Sequence, residues 1–400
     1  MGQTASMVGT AISGLAIPTF AIVVLGATPF AVALLQTVQF AAFPVLGLFA
    51  GVWVDRWPRR TVMLIADAAR ALALGSIPAA AFAHVLGYPQ LLAVAACVGV
   101  AAVFFEVAYQ SMLPDVVPQE DLERANARLQ VTRSLAESGG NGLAGALIAF
   151  LGAALAVVVD AVSYLVSFAT LLAMRVRETH LGGRAAERGS FFGELREGVQ
   201  VLLGSPLWVR IVGATATFNL GISITLSVYL LYLYRVLHLS PVVAGALLAV
   251  SNLGFVGAFF APRIARRFGV GRTLTVTTTI AALSQFLLPL ALVVAPLPVL
   301  FVAELAITAC VPIYNITQIS LRQRSIPAEL LGRANATLKT IVSSVFPVGT
   351  LIGGALGGTI GIVPALVIGT AVTCCAIPWL LTAPIRALHA QPPATGETAT

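Results

Sequence analysis

Apolar residues fill almost the whole chain in runs close to the ~20 residues that an α-helix needs to cross a bilayer. Short breaks holding Gly, Pro and charge separate them. Read as membrane-spanning helices, the runs predict twelve spans, at about 3–25, 31–54, 61–83, 90–113, 129–152, 154–174, 207–234, 242–262, 273–295, 298–321, 335–358 and 362–384. Two water-compatible pieces are left over. Segment 175–205, rich in Arg, Glu and Gly, reads as a cytoplasmic linker, and the polar tail 385–400 reads as disordered. The expected architecture is an all-α membrane protein: a six-helix bundle over 1–174, the linker, a second six-helix bundle over 206–384, and the tail.

Composition agrees with a lipid-solvated chain, because only 10% of the 400 residues are charged, against about 25% in an ordinary soluble domain. The net charge of +7 would point to nucleic acid only if the basic residues clustered on a water-exposed domain. Instead they alternate with the breaks. The loops after spans 2, 4, 6, 8 and 10, with the tail, hold eighteen arginines from Arg56 to Arg386, and the opposite loops hold none. Only Arg235, at the end of span 7, lies near that other face. The positive-inside rule then places both termini in the cytoplasm, in what is expected to be a bacterial cytoplasmic membrane.

The remaining composition excludes more than it adds. Cys97, Cys310, Cys374 and Cys375 all fall inside apolar spans, so no disulfide or metal framework is implied. Met1-Gly2-Gln3-Thr4-Ala5-Ser6 fits an acylation pattern, but a chain with this many spans gains nothing from a lipid anchor. No basic stretch precedes the first run, which argues against a cleaved signal peptide.

Internal repetition is the strongest organisational signal. Pro118 to Leu129 aligns without gaps on Pro327 to Leu338, sharing Pro, Glu, Leu, Arg-Ala-Asn-Ala and Leu at a constant offset of 209 residues. The same offset carries the Gly-rich run Gly139 to Gly145 of span 5 onto span 11, where Gly349, Gly353 and Gly357 recur every four residues. Small residues at that spacing let helices approach closely in lipid. Two halves related by a parallel repeat characterise one large class of secondary transporters, with the substrate site where the halves meet.

Between spans 2 and 3, Gly51-Val52-Trp53-Val54-Asp55-Arg56-Trp57-Pro58-Arg59-Arg60 resembles the signature loop of the major facilitator superfamily, Gly-x-Leu-x-Asp-Arg-x-Gly-Arg-Arg, with Trp53 for Leu and Pro58 for Gly. Its weaker counterpart is Ile264-Ala265-Arg266-Arg267-Phe268-Gly269. The Pro-x-Glu-x-Leu-x-Arg-Ala-Asn loop, the run Val159 to Ser167 and the linker Glu194-Leu195-Arg196-Glu197-Gly198 narrow the resemblance to the twelve-span macrolide-efflux and enterobactin-exporter-like subgroup. Two departures stand out. Phe104-Phe105-Glu106 lies where many drug/proton antiporters carry an Arg in span 4, and Gly140-Asn141 replaces their Gly-Pro in span 5. Members also usually carry a basic stretch before span 1, so a start upstream of Met1 is consistent with the resemblance.

A transporter of this kind needs a polar cavity midway through the membrane and a group whose charge biases two conformations. Gln3, Ser6, Thr10 and Ser13 line one face of span 1, and Thr215, Asn219, Ser223 and Ser227 line one face of span 7. At the repeat offset Ser6 falls on Thr215 and Thr10 on Asn219. Any single Ser or Thr can simply bond its own helix, but the paired stripes predict a central cavity, to which Gln36, Gln39, Tyr314, Asn315 and Gln318 would add.

Ionisable residues in spans cost about 2.5–3.5 kcal/mol each on insertion scales and are functional candidates by default. Asp67 with Arg70 and Arg133 with Glu137 are spaced as self-neutralising pairs on single helices. Glu106 has no basic residue within a helical turn, and its repeat counterpart is the neutral Asn315, so it leads the proton-coupling candidates, followed by Asp160 and Glu304. Gln at position 106 is expected to uncouple flux from a pH gradient. Gly51, Asp55, Arg56, Arg59 and Arg60 read as a conformational latch, with Asp55 approaching the start of span 11 near Ala334.

The expected function is proton-driven export of small amphipathic or lipophilic compounds by a monomer. Import or facilitated passage of a metabolite, or a non-transporting receptor role, are the alternatives. With no conspicuous basic cluster at mid-membrane, a strongly anionic substrate is not expected. No catalytic motif or Walker A loop appears, Lys339 being the only lysine, so neither an enzyme nor a cofactor is expected.

Overall fold

Without water to bond, every backbone N–H and C=O inside a bilayer must be satisfied within its own segment, and among the described residues the chain forms helices and no strand. A computed structural model describes residues 2–54, 56–116, 122–174, 197, 199–251, 255–382, 385 and 388. Most of the predicted linker and tail lie outside these, and so does Asp55. The helices are α1 (Gly2–Val23), α2 (Pro29–Val54), α3 (Arg59–Phe82), α4 (Tyr88–Val116), α5 (Leu122–Leu151) and α6 (Ala153–Ala173). They continue with α7 (Pro206–Leu231, extended by the π-turn Tyr232–Val236), α8a (Pro241–Ser251), α8b (Phe255–Phe268), α9 (Val270–Ser284), α10 (Pro296–Ser325), α11 (Ala328–Thr359) and α12 (Ile362–Cys374). Short helical turns at Leu287–Leu290 and Ile377–Leu380 follow α9 and α12.

Ten helices among the described residues are long and apolar enough to cross a membrane. The other two predicted spans, 129–152 and 242–262, fall on α5 and on the α8a/α8b pair, so the count is consistent with twelve. α5 and α11 begin seven residues before their predicted spans because the repeated Arg-Ala-Asn-Ala stretch is itself helical. Gly152 and Gly361, again 209 residues apart, adopt φ values of +83° and +100°; Gly152 alone joins α5 to α6, and Ile360 with Gly361 joins α11 to α12. Side chains with a Cβ are strained in that conformation.

The chain forms two compact units, Met1–Arg188 with Tyr229–Asn252, and Gly189–Val228 with Leu253–Thr400. In the first, α1 packs against α5 and α6, α3 against α4 and α6, α2 against α4, and α8a against α5. Its core holds Met63, Phe105, Met112 and Leu171. In the second, α10 packs against α8b and α9, and α11 against α12, with Trp208, Ile211, Leu274, Leu321 and Leu338 in the core.

Glycine contacts reveal the repeat inside each unit. A methyl group built on Gly140 of α5 would lie 2.8 Å from the Val8 carbonyl of α1, and one on Gly349 of α11 would lie 2.9 Å from the Leu220 carbonyl of α7. The two glycines are 209 residues apart, but the carbonyls they approach are 212 apart. α1 and α7 thus correspond at an offset one helical turn longer than the loops do. This corrects the matching of Ser6 with Thr215 and Thr10 with Asn219: by packing, Gln3 corresponds to Thr215 and Met7 to Asn219.

Candidate functional site

The first unit buries three charges between α3 and α6. Asp67 is fully buried, Asp160 is 1% exposed and Arg70 is 5% exposed. Arg70 Nη1 lies 3.9 Å from Asp67 Oδ1, and its guanidinium covers the rings of Phe105 at 5.0 Å and Tyr164 at 5.1 Å. Both carboxylates lie within electrostatic range of that one guanidinium. Two acids facing one base leave one negative charge more than ion pairing removes, and a single proton would balance it. Ser163 Oγ donates to the Asp160 carbonyl at 2.8 Å and lies 3.2 Å from Asp160 Oδ1, while Tyr164 and Thr10 share a 2.8 Å hydroxyl bond linking α6 to α1.

Asp160 of this cluster borders a small cavity of about 30 Å³, lined also by Thr10, Ser13, Gln36 and Gln39. Its size suits one or two waters rather than an organic substrate. α1 comes this close to α6 because position 9 is Gly: a methyl there would stand 2.2 Å from Ser163 Oγ and 2.4 Å from Asp160 Oδ1. Gly9→Ala is therefore expected to destabilise the protein by about 1–3 kcal/mol, the usual cost of overpacking. Thermal unfolding of the purified variant, with Gly14→Ala as the control because nothing lies within 4 Å of that position, checks it.

The second unit holds a larger cavity of about 310 Å³. Thr215, Phe218 and Asn219 of α7, Tyr314, Asn315, Gln318 and Arg322 of α10, and Asn335 and Lys339 of α11 line it. Thr215 and Tyr314 share a hydroxyl bond of 2.8 Å, and Asn219 Nδ2 donates back to the Thr215 carbonyl at 2.8 Å. Ser223 is not part of this cavity. It is fully buried, donates to the Leu220 carbonyl at 2.9 Å, and faces Gly349 of α11. A four-residue stripe therefore divides between cavity wall and helix contact. Arg322 and Lys339 also line the cavity, although neither stands in the middle of a predicted span. One reads as a loop arginine and the other as an isolated lysine, although they stand 17 residues apart on consecutive helices.

The remaining candidates scatter. Glu106 is half-buried on α4, accepts from Gln110 Nε2 at 2.5 Å, and its charge is felt by Arg133. Arg133 Nε donates to Glu137 Oε1 at 2.9 Å on a half-exposed face of α5. Glu304 is half-buried in the first half of α10, outside both cavities. Of the latch candidates, Asp55 lies outside the described residues, and Gly51 falls within α2. Arg56 is exposed. Arg59 Nη1 donates to the Ser111 carbonyl at 2.9 Å, and Arg60 donates through Nε and Nη2 to the Leu171 and Leu172 carbonyls at 2.8 and 2.7 Å. These two arginines tie the start of α3 to the last turns of α4 and α6, where unpaired carbonyls attract cations.

At the other end of the first unit, the segment 229–251 is bonded to α1 and α5. Tyr234 and Thr19 share a 2.9 Å hydroxyl bond, and Arg235 Nη2 donates to the Ile22 and Ala27 carbonyls at 3.1 and 2.9 Å. Ser138 Oγ donates to the Ala249 carbonyl at 2.8 Å. A methyl on Gly245 would meet the Asn141 carbonyl and the Gly145 Cα at 2.7 Å each.

Comparisons with known proteins agree with this architecture. The chain is 25% identical over 325 residues to the multidrug efflux pump Tap of Mycobacterium bovis, covering 79% of this chain and 76% of that protein. It is 24% identical over 397 residues to macrolide efflux protein A of Streptococcus pyogenes, covering 94% and 93%. Among solved structures, a bacterial homologue of the iron transporter ferroportin in an inward-facing state matches with a TM-score of 0.73 at 17% identity, over 95% of this chain and 97% of that one. The nucleoside transporter NupG matches with a TM-score of 0.71 at 11% identity, over 97% and 98%. Resemblances this remote in sequence speak for the fold alone. The family model of the Major Facilitator Superfamily matches residues 1–345, so this chain, a membrane transporter of small molecules and not an enzyme, belongs to that family.

Proposed function

We propose that the protein is a proton-driven exporter of small amphipathic or lipophilic compounds working by alternating access, a monomer in a bacterial cytoplasmic membrane with both termini in the cytoplasm. The boundaries 1–174, 175–205, 206–384 and 385–400 are the organisation proposed with it. Relatives named as drug and macrolide efflux proteins support export. The observation that carries proton coupling is the buried cluster of two carboxylates around one guanidinium, in which Asp160 borders a cavity with room for water but not for an organic molecule. Protonation of such a cluster changes its charge without new contacts, and this can bias two packed arrangements.

Within this reading Asp160 replaces Glu106 as the leading proton carrier. Glu106 is only half-buried and already has a hydrogen-bonding neighbour in Gln110. Glu106→Gln is expected to lower gradient-driven efflux by less than about tenfold, the scale of a peripheral electrostatic contribution of roughly 1 kcal/mol. Larger loss in proteoliposomes with an imposed pH gradient would restore it to first place. The same assay, run in both gradient directions, tests export itself: accumulation driven with the proton flow rather than against it would favour the metabolite-importer alternative.

Asp55, Arg56, Arg59 and Arg60 are proposed to steady one conformation from the cytoplasmic face. Asp55→Asn with normal membrane insertion and undiminished transport would reduce them to a topogenic and helix-capping role.

A further inference from the structure

The cavity of the second unit is cationic in a way its role as a polar pocket does not require. Arg322 is 8% exposed, and its Nε and Nη1 are buried without a hydrogen-bond partner; Gln318 Nε2, one turn back, is in the same position. Arginines near helix ends normally extend to the interface and keep the charged head in water, as the exposed Arg324 two residues on can do. Arg322 instead lines the cavity, joined there by Lys339 of α11, and no acidic residue is among its described lining. Nor does the duplicated fold impose these charges. At the 209-residue offset of the repeated loops and of α5 with α11, Leu113 and Gln130 stand where Arg322 and Lys339 do.

A buried donor left unpaired costs about 1–3 kcal/mol, more when charged, and is retained where a ligand completes it. Unpaired donors on Arg322 and Gln318, beside a second cation and with no carboxylate among the described lining, match a carboxylate or a phosphate. Phe218 and Tyr314 supply aromatic surface in the same cavity, and its volume of about 310 Å³ stands at the small end of organic ligand sites. We propose that this cavity is an anion-binding subsite that takes the carboxylate or phosphate group of an otherwise apolar substrate, with Arg322 and Lys339 as its counter-charges. The inference rests on the exporter reading and narrows its substrate, against the expectation from the spans alone that an anionic substrate is unsuited.

The test is binding by the purified full-length protein in a nonionic detergent, using a matched aromatic series. Unfolding temperature and ligand fluorescence are followed with 2-naphthoate, 2-naphthyl phosphate, 2-naphthalenemethanol, 2-naphthylmethylamine and inorganic phosphate. Both naphthyl anions are expected to bind at least about tenfold more tightly than the alcohol or the amine, as for charge-assisted pairs. Arg322→Gln and Lys339→Gln should each erase most of that preference, Arg322→Lys should keep part of it, and Arg324→Gln should leave it intact. Competition by inorganic phosphate as strong as by naphthyl phosphate would support the site but identify its ligand as a free anion. Equal affinity across the series, or an anion preference that survives both Gln variants, would overturn it. If Arg322→Gln does not fold, the exposed Lys339 variant carries the test. pH-driven flux of the same compounds is measured separately. Anion preference without flux retires the exporter reading and leaves the site, whereas flux without anion preference does the reverse.

Discussion

Asp160→Asn is expected to reduce efflux driven by a pH gradient by about a hundredfold, the low end of what losing a proton-transfer group costs, while substrate exchange without a gradient continues. The asymmetry follows from charge. Asn has the shape of a protonated Asp, can still meet Ser163, and leaves Arg70 balanced by Asp67 alone, so the variant holds permanently the charge state the wild type reaches only with a proton bound. Packing is preserved because Gly9 already accommodates a group of that size. Asp67→Asn separates coupling from structure. If the cluster shares one exchangeable proton, either substitution stops coupling; if Asp67 only neutralises Arg70, its removal lowers stability and spares the gradient dependence. Efflux from proteoliposomes at a fixed gradient, beside counterflow at equal pH on both sides, reads both. Undiminished gradient-driven efflux in Asp160→Asn would exclude this cluster from the mechanism.

What the residues disclosed about the fold came through properties that survive without tertiary context. Apolar length and arginine placement report on lipid and its two faces, whatever packs against what, and the ten long apolar helices fall where those signals put them. The repeated loop showed the duplication because eight shared residues exceed what helix starts require. The register of α1 against α7 was not legible, since polar stripes every three or four residues can be slid by one turn and still match. Only the carbonyls beside Gly140 and Gly349 resolve the slip. Ser223 was assigned to a cavity for the same reason, as a stripe cannot say which neighbour it faces. Asp160 stood out as an isolated charge in an apolar run, but its kinship with Asp67 and Arg70 depends on α6 packing against α3. Arg322 and Lys339 were hidden most completely, because a basic residue near a span end is what topology alone would place there.

The second large effect concerns Arg235, the single arginine on the face that otherwise lacks them. Its Nη2 donates to the carbonyls of Ile22 and Ala27, joining the end of the π-turn after α7 to the last turn of α1, where Tyr234 and Thr19 add a buried hydroxyl bond. In the proposed cycle these bonds must break whenever the cavity opens toward that face. Hydrogen bonds to a charged donor contribute about 1.5–3 kcal/mol, which corresponds to roughly a ten- to hundredfold shift between two conformations when it is lost from one of them only. Arg235→Ala is therefore expected to enrich the state open to the outside by that factor. Alkylation from outside of a single cysteine placed at Ile17, beside the Asp160 cavity and in a background without the four native cysteines, measures the change. Gly245→Leu should act in the same direction through sterics, because its side chain cannot fit between α8a and the Asn141 carbonyl. Since the two substitutions disturb contacts that the proposed cycle breaks together, the double variant should gain little over either alone. Additive gains would mean that the two contacts open independently, and unchanged labelling in both would show that this end of the first unit does not move during transport.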